Sequence, residues 1–109
     1  MIFDHRTYTC RPGTIKKHMK LYADHGWKTQ SFHLGAPVLY GAVETGDVNS
    51  YVHVWCYESA QDRAEKRAAL AADPEWQAYL KISADAGFLV AQVNTILTPA
   101  SFFTLPGAA

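Results

Sequence analysis

Two short segments carry most of the side chains that could do chemistry. In the first, Asp4, Arg6 and Tyr8 alternate with other residues; in the second, Tyr51, His53, Trp55 and Tyr57 do the same. Side chains alternate across a strand, so each set shares one face if its segment is extended. Side by side, the two sets would gather a guanidinium, a carboxylate, an imidazole, several phenols and an indole, with Tyr40 a further ring on the same side. Arg6 would hold an anion bidentately, and His53 would move a proton near neutral pH. Tyr8 and Tyr57 would donate hydrogen bonds, Trp55 would form an aromatic wall, and Asp4 and Tyr40 would complete the ligand contacts. Such a pocket suits a small carboxylated or aromatic ligand. The same residues also fit a plainer arrangement, an Asp4–Arg6 ion pair with His53 and Tyr8 hydrogen-bonded inside a packed core.

Other chemistries find less support. His18 and His25 are seven apart on an expected helix, His33 lies beyond it, and His5 and His53 fall on opposite strand faces. No HxH, HExxH or two-His-one-carboxylate spacing occurs, so no metal is expected. Cys10 and Cys56 form no CxxC pair, and Cys56 falls among Val52 and Val54, where a cysteine is usually an inert packing residue. Neither a GxSxG elbow nor a glycine-rich phosphate loop is present, and no cofactor is expected. Arg63 and Arg67, four apart, read as a solvated helix face with local ion pairs, and Trp76 and Tyr79 as core anchors.

Stepping along the chain, residues 2–9 read as a strand ended by Arg11-Pro12-Gly13. A helix over 14–27 follows, with Thr14 as N-cap and Ile15, Met19 and Tyr22 on one stripe. Residues 28–36 look irregular, 37–45 form a second strand, and Gly46-Asp47 turns into a third over 50–57. Ser59 and Asp62 open a helix that runs to Ala72; Asp73-Pro74 restarts it as far as Ala84, with Gly87 as C-cap. Residues 88–98 form the last strand. The order β-α-β-β-α-β predicts an α+β, ferredoxin-like sandwich with a four-stranded antiparallel sheet, spanning 1–99 and followed by a tail over 100–109.

At 109 residues and 49% hydrophobic, the chain can bury a core as one domain. Ten basic residues balance ten acidic ones, which gives no electrostatic case for nucleic acid or an anionic membrane surface. No apolar run approaches the roughly 20 residues of a membrane span, the opening residues show no secretory pattern, and two unpaired thiols suit a reducing, cytoplasmic setting. Helices of these lengths cover one sheet face. The ring-bearing face is expected on the other side, hidden by a second copy of the chain in a symmetric dimer.

The chain resembles the NIPSNAP family of the dimeric α/β-barrel superfamily. The resemblance runs over about residues 1–98: Ile2 to Tyr8, Pro12-Gly13, Gly46, Val48 and Asn49, His53-Val54-Trp55-Cys56-Tyr57, Arg63 and Arg67, and Leu70-Ala71-Ala72-Asp73-Pro74-Glu75-Trp76. His5 departs from it, standing where an aliphatic residue is expected and where it would disturb packing under the helices. The resemblance implies a ferredoxin-like fold, a homodimer whose sheets form a barrel, and a cavity on the sheet face away from the helices. It implies no settled reaction; neighbouring branches of the superfamily suggest cofactor-independent oxygenase- or isomerase-like chemistry, and the alternative is a non-enzymatic interaction module with a packed barrel core.

Overall fold

The computed structural model describes residues 1–107, in which eight elements follow one another. They are β1 (Ile2–Cys10), α1 (Ile15–His25), α2 (Trp27–Leu34), β2 (Leu39–Ala42), β3 (Ser50–Tyr57), α3 (Ala60–Ala72), α4 (Pro74–Ala86) and β4 (Leu89–Leu97). The strands pair antiparallel in the order β2-β3-β1-β4. With one helical pair between β1 and β2 and another between β3 and β4, this is the ferredoxin-like α+β arrangement. No helix among the described residues is long and apolar enough to cross a membrane.

Local chemistry fixes the helix ends. The Ser59 hydroxyl accepts from the Asp62 backbone N–H at 3.0 Å, while the Asp62 carboxylate accepts from the Glu58 N–H, so two orphan donors at the start of α3 are satisfied reciprocally. Asp73 caps α4 through the Glu75 N–H, Pro74 occupies the first turn, and Gly87 closes the helix in the left-handed region at φ 65°.

Two boundaries depart from expectation. Residues 27–34 are helical, and this helix buries Thr29 and Gln30 beside Leu34. It shows no apolar stripe because its buried polar residues are bonded, Thr29 to Glu75 and Gln30 to the Tyr22 hydroxyl. The second strand is shorter than 37–45, although Val38 and Val43 still donate to Val54 and Ser50 at its two ends. The turn between β2 and β3 is a longer loop held by Asp47, which accepts from the Asn49 N–H and the Ser50 hydroxyl.

The larger correction concerns the faces. Tyr51, Trp55 and Tyr57 are 2%, 0% and 1% exposed within the single chain. They are covered by this polypeptide's own helices and not by a second copy. Trp55 and Tyr57 pack with Leu34 of α2 and Leu70 of α3, and His18 of α1 lies over Tyr51. The physical reason is area: rings bury more apolar surface than valines, so the helices gain more by settling on the ring-bearing face. The opposite face presents Leu39, Val52, Val54, Cys56, Val93 and Leu97, with His5 among them and away from the helices. Leu39, Val93 and Leu97 there are 53%, 61% and 45% exposed. In the tail, Phe103 meets Phe3 edge-on at 6.2 Å, while Phe102 is exposed.

Candidate functional site

The β1–β3 register sets Asp4 opposite Trp55, Arg6 opposite His53 and Tyr8 opposite Tyr51. Opposed residues in an antiparallel pair share a face, so the two chemistry-bearing sets come together, under the helices. A cleft of about 300 Å³ lies there. Its sheet side includes Arg6, Tyr8, Tyr40, Tyr51 and His53; its helix side includes Tyr22, Gln30, Arg67, Trp76 and Tyr79. The cavity expected on the face away from the helices is therefore found between sheet and helices. Asp4, Trp55 and Tyr57 are not among its lining residues: they are 0–1% exposed and sit deeper, against the core and its ion pair.

All three guanidinium nitrogens of Arg6 are engaged. Its Nε and Nη2 donate to the two carboxylate oxygens of Asp4 at 3.1 and 3.0 Å, and its Nη1 donates to the Tyr8 hydroxyl at 2.8 Å. Arg63 adds a third bond to Asp4, Nε to Oδ2 at 3.0 Å. Burial favours the neutral acid at Asp4, but hydrogen bonds from Arg6 and Arg63 outweigh it and hold the carboxyl below its usual range. At Arg6, burial opposes the charge and the bond to Asp4 outweighs it, so the guanidinium stays firmly cationic. This is a structural clamp whose anion is already supplied.

His53 is held differently. The Trp55 indole Nε1 donates to His53 Nδ1 at 2.7 Å. An indole N–H only donates, so Nδ1 must be the unprotonated nitrogen and the neutral ring carries its hydrogen on Nε2. Burial, reinforced by Arg6, lowers the imidazole pKa to about 3. His53 is thus a neutral N–H donor, and its Nε2 is buried with no hydrogen-bond partner among the described residues. Tyr40 stacks on it at 4.8 Å and Tyr8 meets it edge-on at 4.7 Å.

Four of the cleft's phenols are held in their protonated form. Burial pushes Tyr22, Tyr40 and Tyr51 well above the usual phenol range and Tyr79 up to about 12. Tyr22 donates to Gln30, and the Tyr51 hydroxyl lies 2.8 Å from Nε2 of the buried His18. Among the described residues no three His, Cys, Asp or Glu side chains gather in a metal-binding group.

The residues missed in the sequence are on the helices. Arg67 is half-buried and lines the cleft, away from any solvated charge pattern; Trp76 and Tyr79, read as core anchors, form part of its wall; Tyr22 and His18 close over the Tyr40–Tyr51 rings. The fourfold spacing of Arg63 and Arg67 was the available signal, since it puts both on the face that meets Asp4.

A family model, NIPSNAP, matches residues 3–104. A NIPSNAP family protein with unknown function from Agrobacterium tumefaciens is similar at 39% identity and TM-score 0.88, over 96% of this chain and 93% of that one. An uncharacterized NIPSNAP-like domain protein from Burkholderia xenovorans is similar at 37% identity and TM-score 0.87, over 96% and 90%. A putative antibiotic biosynthesis monooxygenase from Nitrosomonas europaea shares the fold at 8% identity and TM-score 0.64, over 91% and 98%. No curated protein matches the chain.

Proposed function

The chain belongs to the NIPSNAP family, and from that premise we propose that it binds a small, partly apolar ligand bearing oxygen acceptors between its sheet and its helices. The observation that carries this reading is His53: a neutral N–H donor, without a partner among the described residues, against a ring-walled cleft of about 300 Å³. A buried donor left without an acceptor costs about 1–3 kcal/mol, and an oxygen on a ligand would recover that. A ring of one or two cycles fits such a volume against the aromatic side chains that wall it, Trp76 and Tyr79 among them.

If the site is catalytic, the reaction it suits is cofactor-independent and oxygenase- or isomerase-like. In such a reaction His53 donates a hydrogen bond to the oxygen on which negative charge develops, as an oxyanion-type stabiliser. The role of proton carrier suits it less, because its one free nitrogen already bears hydrogen. Arg6 supports the site's field from its clamp and Tyr8 lines it. A non-enzymatic module with a packed core is less well supported, since a cleft of about 300 Å³ remains beside the packed Leu34–Trp55–Tyr57–Leu70 cluster.

A thermal-shift screen of aromatic acids, phenols and quinones tests the reading, because any ligand of the native state raises the melting point. The control is Ala71→Trp, a substitution at an exposed position that lines the cleft. At least one compound should stabilise the parent and leave the variant unmoved. Stabilisation of neither, or of both alike, would remove the cleft as a binding site.

A second reading concerns assembly. Leu39, Val93 and Leu97 stand well exposed on the sheet face that no helix covers. This supports a homodimer packed sheet against sheet through the aliphatic face.

A further inference from the structure

Two buried donors along the cleft, Arg67 Nη1 and His53 Nε2, have no hydrogen-bond partner among the described residues. They are neighbours. The Arg67 charge acts on the imidazole of His53, while the Tyr57 hydroxyl, deeper in the core, lies against the Arg67 side chain itself. Orphaned buried donors are uncommon in folded chains, and two together on one cleft point to an acceptor that belongs with them.

The charges around them are unequal. Asp4 is the carboxylate at this end of the sheet, and it is already shared between Arg6 and Arg63. Arg67 lies one turn beyond Arg63 on α3 and makes no salt bridge among the described residues. The acids nearest it in sequence are engaged elsewhere, Asp62 with Lys66 and Glu65 with Gln61. One carboxylate thus faces three guanidiniums, in surroundings where charge is poorly screened. The expected anchor, Arg6, already has its charge matched by Asp4, whereas Arg67 has no carboxylate partner among the described residues.

We infer that the Arg67 end of the cleft is a subsite for a carboxylate or similarly compact oxyanion, with Arg67 as its anchor and His53 Nε2–H as a supporting donor. The inference rests on the ligand-binding reading above and names the ligand's class: a planar ring bearing one acidic group. The aromatic walls of the cleft, with Trp76 and Tyr79 on the helix side, take the ring. The two oxygens of a carboxylate match donors that diverge from one guanidinium. Arg67 is then a specificity residue, selecting acids over neutral analogues of the same shape.

Calorimetric titration with paired probes tests this: benzoate, 2-naphthoate and salicylate, each against its carboxamide. The parent protein should bind at least one acid about tenfold more tightly than its amide, the margin that a charge-assisted hydrogen bond confers over a neutral one. Arg67→Gln should erase the preference, and Arg67→Lys should restore part of it. Circular dichroism shows whether each variant is folded. Acid and amide binding equally well would overturn the subsite and leave the cleft as a binding site. A preference that survives in Arg67→Gln would overturn Arg67 as anchor. Neither acids nor amides binding would overturn the subsite together with the reading it rests on. Should Arg67→Gln not fold, His53→Gln takes its place, and an undiminished acid preference there would overturn the shared-donor arrangement.

Discussion

The Trp55 indole N–H donates to His53 Nδ1 across 2.7 Å, between two residues on the same face of β3. This one bond decides what His53 can do. It fixes the tautomer, directs the remaining N–H elsewhere, and resists protonation, since a hydrogen on Nδ1 would face the indole hydrogen. A histidine that sequence alone suggests as a proton carrier becomes a fixed donor.

Stability should therefore depend on pH in a window set by that ring. In the unfolded chain His53 takes up a proton near its ordinary value of 6.5, whereas in the folded chain it resists until about 3. Between those values the unfolded state binds more protons, so stability rises with pH and is lost as pH falls through the window. Burial lowers His18 in the same direction. Urea denaturation at pH 8, 6 and 5 should show a loss approaching about 1.4 kcal/mol per pH unit from His53 below its unfolded pKa, with His18 adding in the same direction. His53→Gln should flatten the curve. A parent protein equally stable at pH 8 and 5 would contradict the buried neutral imidazole.

Asp4 should matter more than any surface acid. Asp4→Asn leaves Arg6 and Arg63 facing a neutral amide, and breaking a buried ion pair from one side costs about 3 kcal/mol or more. Lys81→Ala, which removes the exposed Lys81–Asp85 pair, should change stability by less than about 0.5 kcal/mol. Comparable effects from the two substitutions in urea melts would argue against the clamp.

Gly26 joins α1 to α2 where two rings press on the backbone. A Cβ built there would lie 2.9 Å from Tyr22 Cδ1 and 3.1 Å from Tyr79 Cδ1. Gly26→Ala should destabilise by about 1–3 kcal/mol through overpacking, despite alanine's better helix propensity. Because both rings line the cleft, the variant should also weaken any ligand seen by thermal shift. A neutral or stabilising effect would mean the rings yield freely.

The sheet-to-sheet dimer is testable by mass. Sedimentation of the parent protein at micromolar concentration should return twice the 12.1 kDa of one chain. Val93→Arg, on the aliphatic face at a position 61% exposed in the single chain, should return one chain's mass with the fold retained. A parent protein sedimenting as a single chain would refute this assembly.

How much of this could be read from the residues follows from what alternation and capping encode. The order of elements was readable because Ser59, Asp73-Pro74 and Gly87 are strong punctuation, and because the Tyr51–Tyr57 segment alternates without interruption. Alternation says which residues share a face; it does not say which face the helices choose, and the ring-bearing face was assigned to the wrong neighbour for that reason. The helix over Trp27–Leu34 was hidden because Thr29 and Gln30 are buried by hydrogen bonding, which leaves no apolar stripe to see. Arg67 was hidden by its resemblance to an ordinary charged helix surface, and only the position of Asp4 beneath Arg63 changes that reading.

The most direct test is an amide and side-chain NMR titration of the isotopically labelled protein with 2-naphthoate. The His53 ring should first report a neutral imidazole with hydrogen on Nε2. On titration, shifts should concentrate on His53, Tyr40, Arg67 and Trp76, with Val54 and Val93 on the opposite sheet face unmoved. A resting ring with hydrogen on Nδ1, or shifts confined to the aliphatic face, would contradict a ligand site between the sheet and the helices.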